Sequence, residues 1–292
     1  MAADQVVPFI PDVRRSFVEA RGIRFHVTEA GEGRSVLALH GWPQHHYVYR
    51  DLLGDPPEGL RIIAPDLPGY GWSGAAPHRW AKDDVASDVL ALMDAMGLAK
   101  DVLLVGHDWG GFVGYRMILR EPERFAGFLV LNMAHPWAPA GVVARQAWRL
   151  LAYQPVIASV GVPLQRRTRF LERLFGAATS EGNRMDRETV RIFSERFRDP
   201  VVARAATDTY RTFLLREVPG AVRRSEGRRA RVPVRALFGK GDAAVHYSLA
   251  AAETARADDY RLELVEGCGH FIVDERPGLV RERLVELDRE TR

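Results

Sequence analysis

The segment Gly106-His107-Asp108-Trp109-Gly110 limits what this chain can fold into more than any other stretch. An apolar run at 101–105 precedes it and reads as a buried strand. Residues 111–119, which follow it, have helical spacing. A strand, a sharp glycine-flanked turn and a helix form a nucleophile elbow, which thrusts the central side chain out at the strand's end. The usual central residue is Ser, and here it is Asp108. That difference redirects the chemistry. A serine attacking saturated carbon forms an ether, which water does not readily cleave. A carboxylate forms an ester, whose carbonyl water can attack. An Asp at the elbow therefore points to substitution at saturated carbon, by epoxide opening or carbon–halogen cleavage. Taken alone, the five residues also fit a polar turn in which Asp caps a helix.

Three further segments decide between these readings. His40-Gly41-Trp42-Pro43-Gln44 follows a second apolar run, 35–39. Asp242 ends the run 232–241, and Gly267-Cys268-Gly269-His270-Phe271 follows the strand-like 260–266. Nucleophile, acid and histidine fall in the chain order of elbow-type triads. At this point the chain resembles an α/β-hydrolase-fold epoxide hydrolase. The resemblance is carried by H-G-W-P-Q at 40–44, G-H-D-W-G-G at 106–111, G-x-G-D ending at Asp242, and G-H-F at 269–271 followed by Glu275-Arg276-Pro277. These signatures are spread over most of the chain. Haloalkane dehalogenases share the fold and the Asp elbow.

The resemblance implies an α/β-hydrolase fold: a mainly parallel eight-stranded sheet, helices on both faces, and an inserted helical cap. The patterns agree. Residues 13–20 and 23–30 read as a hairpin turning at Arg21-Gly22. Short apolar strands are expected at 36–39, 61–64, 102–105, 128–131, 233–238 and 261–265, with core helices at 83–96, 111–119 and from Pro277 to about Leu287. Alternating strands and helices imply a parallel sheet covered on both faces. From Trp137 to about Pro219 strand signals are sparse, and helices are expected at 142–153, 167–175, 188–196 and 203–216. The expected division is core at 1–136, cap at 137–219 and core again at 220–292. Residues 223–231, rich in Arg, are the expected flexible segment.

Open α/β sheets bind ligands beyond the carboxyl ends of their strands. Trp42, Asp108, Asp242 and His270 all follow expected strands and converge there. The implied roles are Asp108 as nucleophile, His270 as base for the hydrolytic water, and Asp242 as the acid that orients the imidazole. Backbone N–H groups of Trp42 and Trp109 supply the oxyanion hole. Asn132 and His135 stand after the sixth strand, where some dehalogenases place the acid, and no carboxylate lies between Leu131 and Pro139. Ring opening also needs a proton donor. Epoxide hydrolases of this fold use two cap tyrosines, and Tyr153-Gln154-Pro155 and Thr209-Tyr210-Arg211 resemble those segments. Without the resemblance each is an amphipathic tyrosine at a cap–core boundary, and Tyr247 is a rival in the core. His40 and His107 are expected to fix backbone loops. Trp42-Pro43 suits a cis peptide in a tight turn. Cys268 reads as a small residue in a tight loop.

Charge and composition narrow the rest. The net charge is +3, and Lys occurs only at 82, 100 and 240. Asp and Glu nearly balance Arg, so no basic face for nucleic acid is expected. No run of eighteen apolar residues exists to span a membrane. The basic stretch 166–173 reads as a solvated face over apolar Phe170, Leu171, Leu174 and Phe175. The N-terminus lacks a secretory pattern, and the single cysteine fits a reducing cytoplasm. The expectation is a cytoplasmic enzyme, monomer or homodimer, with no metal or cofactor, acting on a small hydrophobic epoxide and water. Two alternatives stay open. One is a haloalkane dehalogenase, with Trp109 and a second donor such as Trp137 or Trp148 holding halide. The other is a non-catalytic α/β-hydrolase-like binding protein. No G-x-S-x-G exists to support a serine esterase.

Overall fold

The computed structural model describes residues 6–136, 140–219, 229–251 and 256–292. Strands β1 (Arg14–Ala20) and β2 (Ile23–Gly31) form the expected hairpin. Its two turn residues, Arg21 and Gly22, both have positive φ, 46° and 74°, which suits the right-handed twist of the paired strands. Six further strands follow: β3 (Arg34–Leu39), β4 (Leu60–Pro65), β5 (Val102–His107), β6 (Phe125–Leu131), β7 (Val234–Gly239) and β8 (Tyr260–Val265). They assemble into one eight-stranded sheet in the order β1-β2-β4-β3-β5-β6-β7-β8. β2 is antiparallel to both neighbours, and every other pairing is parallel.

The parallel strands are apolar on both faces, because helices cover both. Alternate residues go to opposite layers. Leu37, Leu39, Leu104, Phe128, Val130 and Phe238 face one core. Their neighbours Val36, Ala38, Leu103, Val105, Leu129 and Leu237 face the other. Helices α2 (Lys82–Ala95) and α3 (Trp109–Arg120) cover the first side; α1 (Arg50–Gly54) and the C-terminal α10 (Pro277–Glu290) cover the second. Two short helices, α8 (Ser248–Ala251) and α9 (Ile272–Glu275), complete the C-terminal part.

Between β6 and β7 the described residues form the helices α4 (Ala140–Arg167), α5 (Phe170–Ala178), α6 (Arg187–Arg196) and α7 (Pro200–Thr212). Helix α4 runs well past the expected end at Tyr153. The proline rule that stops a helix before Pro155 is overridden by packing: Ile157 and Gln165 are buried, and the Gln165 amide reaches the Ala203 carbonyl of α7. The helix is broken at Val160, whose φ of −117° and ψ of 18° are not helical. Helix α5 begins at Phe170 rather than 167, because the Thr168 hydroxyl accepts the Phe170 N–H. Leu171 and Phe175 turn inward from α5, with the basic residues outside. Helix α7 starts earlier than expected, with Asp199 accepting the Val201 N–H and Pro200 in the first turn. One π turn, Phe213–Glu217, extends it. Trp137 and residues 223–228 of the expected flexible segment lie outside the described residues. No helix among the described residues is long and apolar enough to cross a membrane.

Candidate active site

Asp108 stands between β5 and α3 with φ 48° and ψ −124°. A non-glycine residue there carries strain of about 1–3 kcal/mol, held by the surrounding structure. The flanking glycines make the turn sterically feasible. A Cβ on Gly106 would lie 2.8 Å from the Gly110 carbonyl oxygen, and one on Gly110 would press 2.5 Å from that of His40. The start of α3 therefore touches the end of β3, which brings the His40–Gln44 loop over the elbow.

That contact sets the carboxylate's surroundings. The Trp42 N–H donates to Asp108 Oδ2 at 2.9 Å, and the Trp109 N–H also hydrogen-bonds to the carboxylate. Trp42-Pro43 is cis. The loop is pinned by His40, whose Nδ1–H donates to the Gly41 carbonyl while Nε2 accepts the Leu67 N–H. Burial lowers the His40 imidazole to about 4, so it stays neutral and keeps this tautomer. His107, lowered to about 3 by burial, bonds to the His270 carbonyl at 2.8 Å. Both histidines hold backbone.

The loops after β7 and β8 bring the remaining two groups. His270 Nδ1 lies 2.9 Å from Asp242 Oδ2. Asp242 Oδ1 accepts the N–H groups of Ala244 and Val245 at 2.7 and 2.9 Å, which leaves Oδ2 for the imidazole. His270 Nε2 stands 3.8 Å from Asp108 Oδ1. Asp108 and His270 are only 6 % and 4 % exposed. Burial pushes the Asp108 carboxyl up to about 6, against the opposing pull of His270 and the two N–H donors. For His270 burial acts downward. The charge and hydrogen bond of Asp242, with Asp108 adding, outweigh it and raise the imidazole to about 9.

The helical insert supplies an aromatic wall. Tyr210 on α7 is buried and sets its ring edge-on to Trp42 and Trp109, with centroids 5.2 and 5.4 Å away. Tyr153 on α4 is half-buried, 5.9 Å from Tyr210. Burial raises both phenols above their ordinary range, and the nearby Asp108 charge adds to this. The tyrosines are therefore proton carriers at neutral pH. The Trp42 indole N–H is taken by Gln165 Oε1 at 2.9 Å.

The sequence model of the α/β-hydrolase fold matches residues 34–277. The chain belongs to the α/β-hydrolase family. It is 37 % identical over 123 residues to the mouse (Mus musculus) protein Epoxide hydrolase 4, covering 41 % of this chain and 34 % of that one. It therefore spans about a third of that relative's length. It is 26 % identical over 287 residues to the Bacillus subtilis AB hydrolase superfamily protein YfhM, covering 94 % and 97 % of the two chains. Among solved structures, the ligand-free epoxide hydrolase CorEH superposes with a TM-score of 0.77 at 25 % identity, over 96 % of this chain and all of that one.

In this α/β-hydrolase two further residues, Asn132 and Gln165, have partners at the site that the sequence did not assign to them. Asn132, at the end of β6 with φ 46°, donates to Asp242 Oδ2 at 2.6 Å and to the Gly269 carbonyl at 3.1 Å, and accepts the Gly239 N–H. It ties three loops together at the acid. An Asn directly after a strand was the only sequence sign. Gln165 left none, since a glutamine in a helical run looks like surface. Cys268 is buried, and burial pushes its thiol up to about 12, as expected of a packing residue. Trp148 is 63 % exposed, Tyr247 packs against His246, and Trp137 lies outside the described residues. A separate trio, His26, His46 and Asp66, is buried under the same loop. Each imidazole Nδ1 lies 2.9 Å from the carboxylate. Asp66 also accepts the N–H groups of His46 and Trp72, while Nε2 of both imidazoles is buried without a hydrogen-bond partner.

Proposed function

We propose that this α/β-hydrolase converts hydrophobic epoxides to vicinal diols through an ester on Asp108. The observation that carries the reading is the setting of the elbow carboxylate. Oδ2 is held by the Trp42 N–H, while Oδ1 faces the His270 imidazole side. Asp108 Oδ1 attacks an epoxide carbon in line with the breaking C–O bond. The departing oxygen keeps the electron pair and takes a proton from Tyr210 or Tyr153. Oδ2 becomes the ester carbonyl oxygen, already in place beside its donors. Water then attacks that carbonyl and gives its proton to His270, whose imidazolium Asp242 stabilises. The Trp42 and Trp109 N–H groups hold the tetrahedral oxyanion. Collapse releases the diol and the carboxylate, and the net proton returns to the tyrosine.

Within this reading, residues 137–219 are the cap, and residues 1–136 and 220–292 the core. Trp42, Trp109, Tyr153 and Tyr210 pack their rings against one another beside Asp108, an apolar setting that favours hydrophobic substrates. The single cysteine supports a cytoplasmic setting. The dehalogenase alternative is weakened because Trp148, one of its second donors, is 63 % exposed, and because halide departure needs no phenolic proton.

The test is the intact mass of His270→Gln after exposure to epoxides and haloalkanes. Without its base, the ester on Asp108 accumulates. A gain equal to a whole epoxide is the expected result. A gain equal to a haloalkane less its halide and one hydrogen assigns dehalogenation instead. Absence of any adduct across a broad panel refutes Asp108 as nucleophile.

A further inference from the structure

Lys82 opens α2, and its side chain is completely buried. Taking an ammonium out of water costs several kcal/mol unless partners replace the hydration. Here those partners come from the helical insert. Lys82 Nζ donates to the Thr209 carbonyl at 2.8 Å and pairs with Glu217 Oε2 at 2.8 Å. The other Glu217 oxygen accepts the Lys82 backbone N–H at 2.7 Å, so one carboxylate engages both the first N–H of α2 and its first side chain. The ammonium also lies over the Trp109 ring, 4.4 Å from its centroid, and 5.0 Å from that of Phe213. Desolvation strengthens such a cation–π contact.

The neighbours in sequence make this arrangement more than an internal ion pair. Thr209 immediately precedes Tyr210, and Trp109 immediately follows Asp108. A single ammonium thus contacts the residues adjoining the elbow carboxylate and the buried tyrosine that faces it. The Thr209 hydroxyl bonds to Tyr70 of the core at 2.9 Å, a second tie at the same helical turn. The π turn Phe213–Glu217 carries both Phe213 and Glu217 into the joint, in keeping with the frequent use of π turns at functional sites.

We propose that Lys82 is a positioning residue for ring opening, the joint through which the core fixes Tyr210 and Trp109 relative to Asp108. This rests on the epoxide-opening reading given above. The joint acts chiefly on ring opening: it holds Trp109 by its ring, whereas the Trp109 backbone N–H that serves ester hydrolysis is set by the elbow itself, and His270, Asp242 and Asn132 are held by other loops. Loss of the joint lets the Tyr210 helix drift, and a misplacement of about 1 Å costs up to a hundredfold in rate.

The experiment compares Lys82→Met and the double variant Lys82→Met/Glu217→Gln with their parent. The double variant leaves neither charge buried alone, so it covers the case in which the single variant fails to fold. Ester formation is timed by intact mass in the His270→Gln background, ester hydrolysis is timed with His270 restored, and amide exchange is followed over 205–217. The expected result is ester formation slowed on the order of tenfold to a hundredfold, ester hydrolysis within about twofold of the parent, and faster exchange over 205–217. Faster exchange with unchanged ester formation makes Lys82 a purely structural residue and overturns the proposal. Equal slowing of both steps also overturns it. If the parent itself forms no ester with any epoxide, the hydrolase reading fails and the role of Lys82 fails with it. Exchange then still reports separately whether the joint exists.

Discussion

The charge on Asp108 should control the basicity of His270, and a single substitution isolates the effect. In the free enzyme the imidazole sits at about 9, too basic to be largely neutral at pH 7. Hydrolysis of the ester nevertheless needs a neutral base. The proposed chemistry removes this conflict, because ester formation discharges the carboxylate. Asp108 Oδ1 is 3.8 Å from His270 Nε2. Unit charges at about 4 Å with an effective dielectric of about 20 attract by about 4 kcal/mol. That is an upper limit of about a thousandfold in proton affinity. Spreading of the carboxylate charge over two oxygens reduces it, and Asp242 still holds the imidazolium. Asp108→Asn reproduces the neutral state with little change of shape. The His270 titration, followed by NMR, should therefore drop from about 9 by at least about one pH unit and at most about three. In parallel, the rate of ester hydrolysis in single turnovers should rise with pH through a midpoint well below that of the free enzyme. A midpoint in Asp108→Asn within a few tenths of wild type refutes the reasoning. It would mean that Asp242 and burial alone set the base.

Three further outcomes follow from the same geometry. Asn132→Asp keeps the size and the tolerance of positive φ but replaces the donor to Asp242 with a like charge. A hydrogen bond to a charged group is worth about 1.5–3 kcal/mol, so ester hydrolysis should slow roughly tenfold to a hundredfold, and rapid-quench kinetics unchanged within twofold would rule that out. Gly41→Ala places a methyl group 2.6 Å from Asp108 Oδ2. It should abolish adduct formation while the far-ultraviolet circular dichroism stays native, and a fully active variant would contradict the placement of the carboxylate. Gln165→Leu strips the acceptor from a buried indole N–H and should cost about 1–3 kcal/mol in stability, read from urea unfolding; no loss would show that the contact is unimportant.

The sequence fixes what is local or repetitive. Period-two alternation and continuous apolar runs located all eight strands, because a parallel sheet buries both faces and leaves no ambiguity about its apolar residues. Glycines at 106 and 110 announced the elbow, since only a missing Cβ permits β5, α3 and the His40 loop to meet so closely. The identity of residue 108 then pointed to carboxylate chemistry. Tertiary structure decided the rest. Helix α4 continues past Pro155 because contact with α7 outweighs a local penalty that sequence rules treat as a stop. Asn132 and Gln165 acquire their partners only when loops distant in the chain converge, and neither side chain carries a local signature. Lys82 shows the limit most plainly. A lysine at a helix start reads as a solvated surface charge, and only folding reveals that its water has been replaced by a carbonyl, a carboxylate and two aromatic rings. The proposed chemistry could be read from the sequence because it depends on residue type at a motif. The spacing between charges, which sets how acidic Asp108 and how basic His270 become, is a property of three dimensions alone.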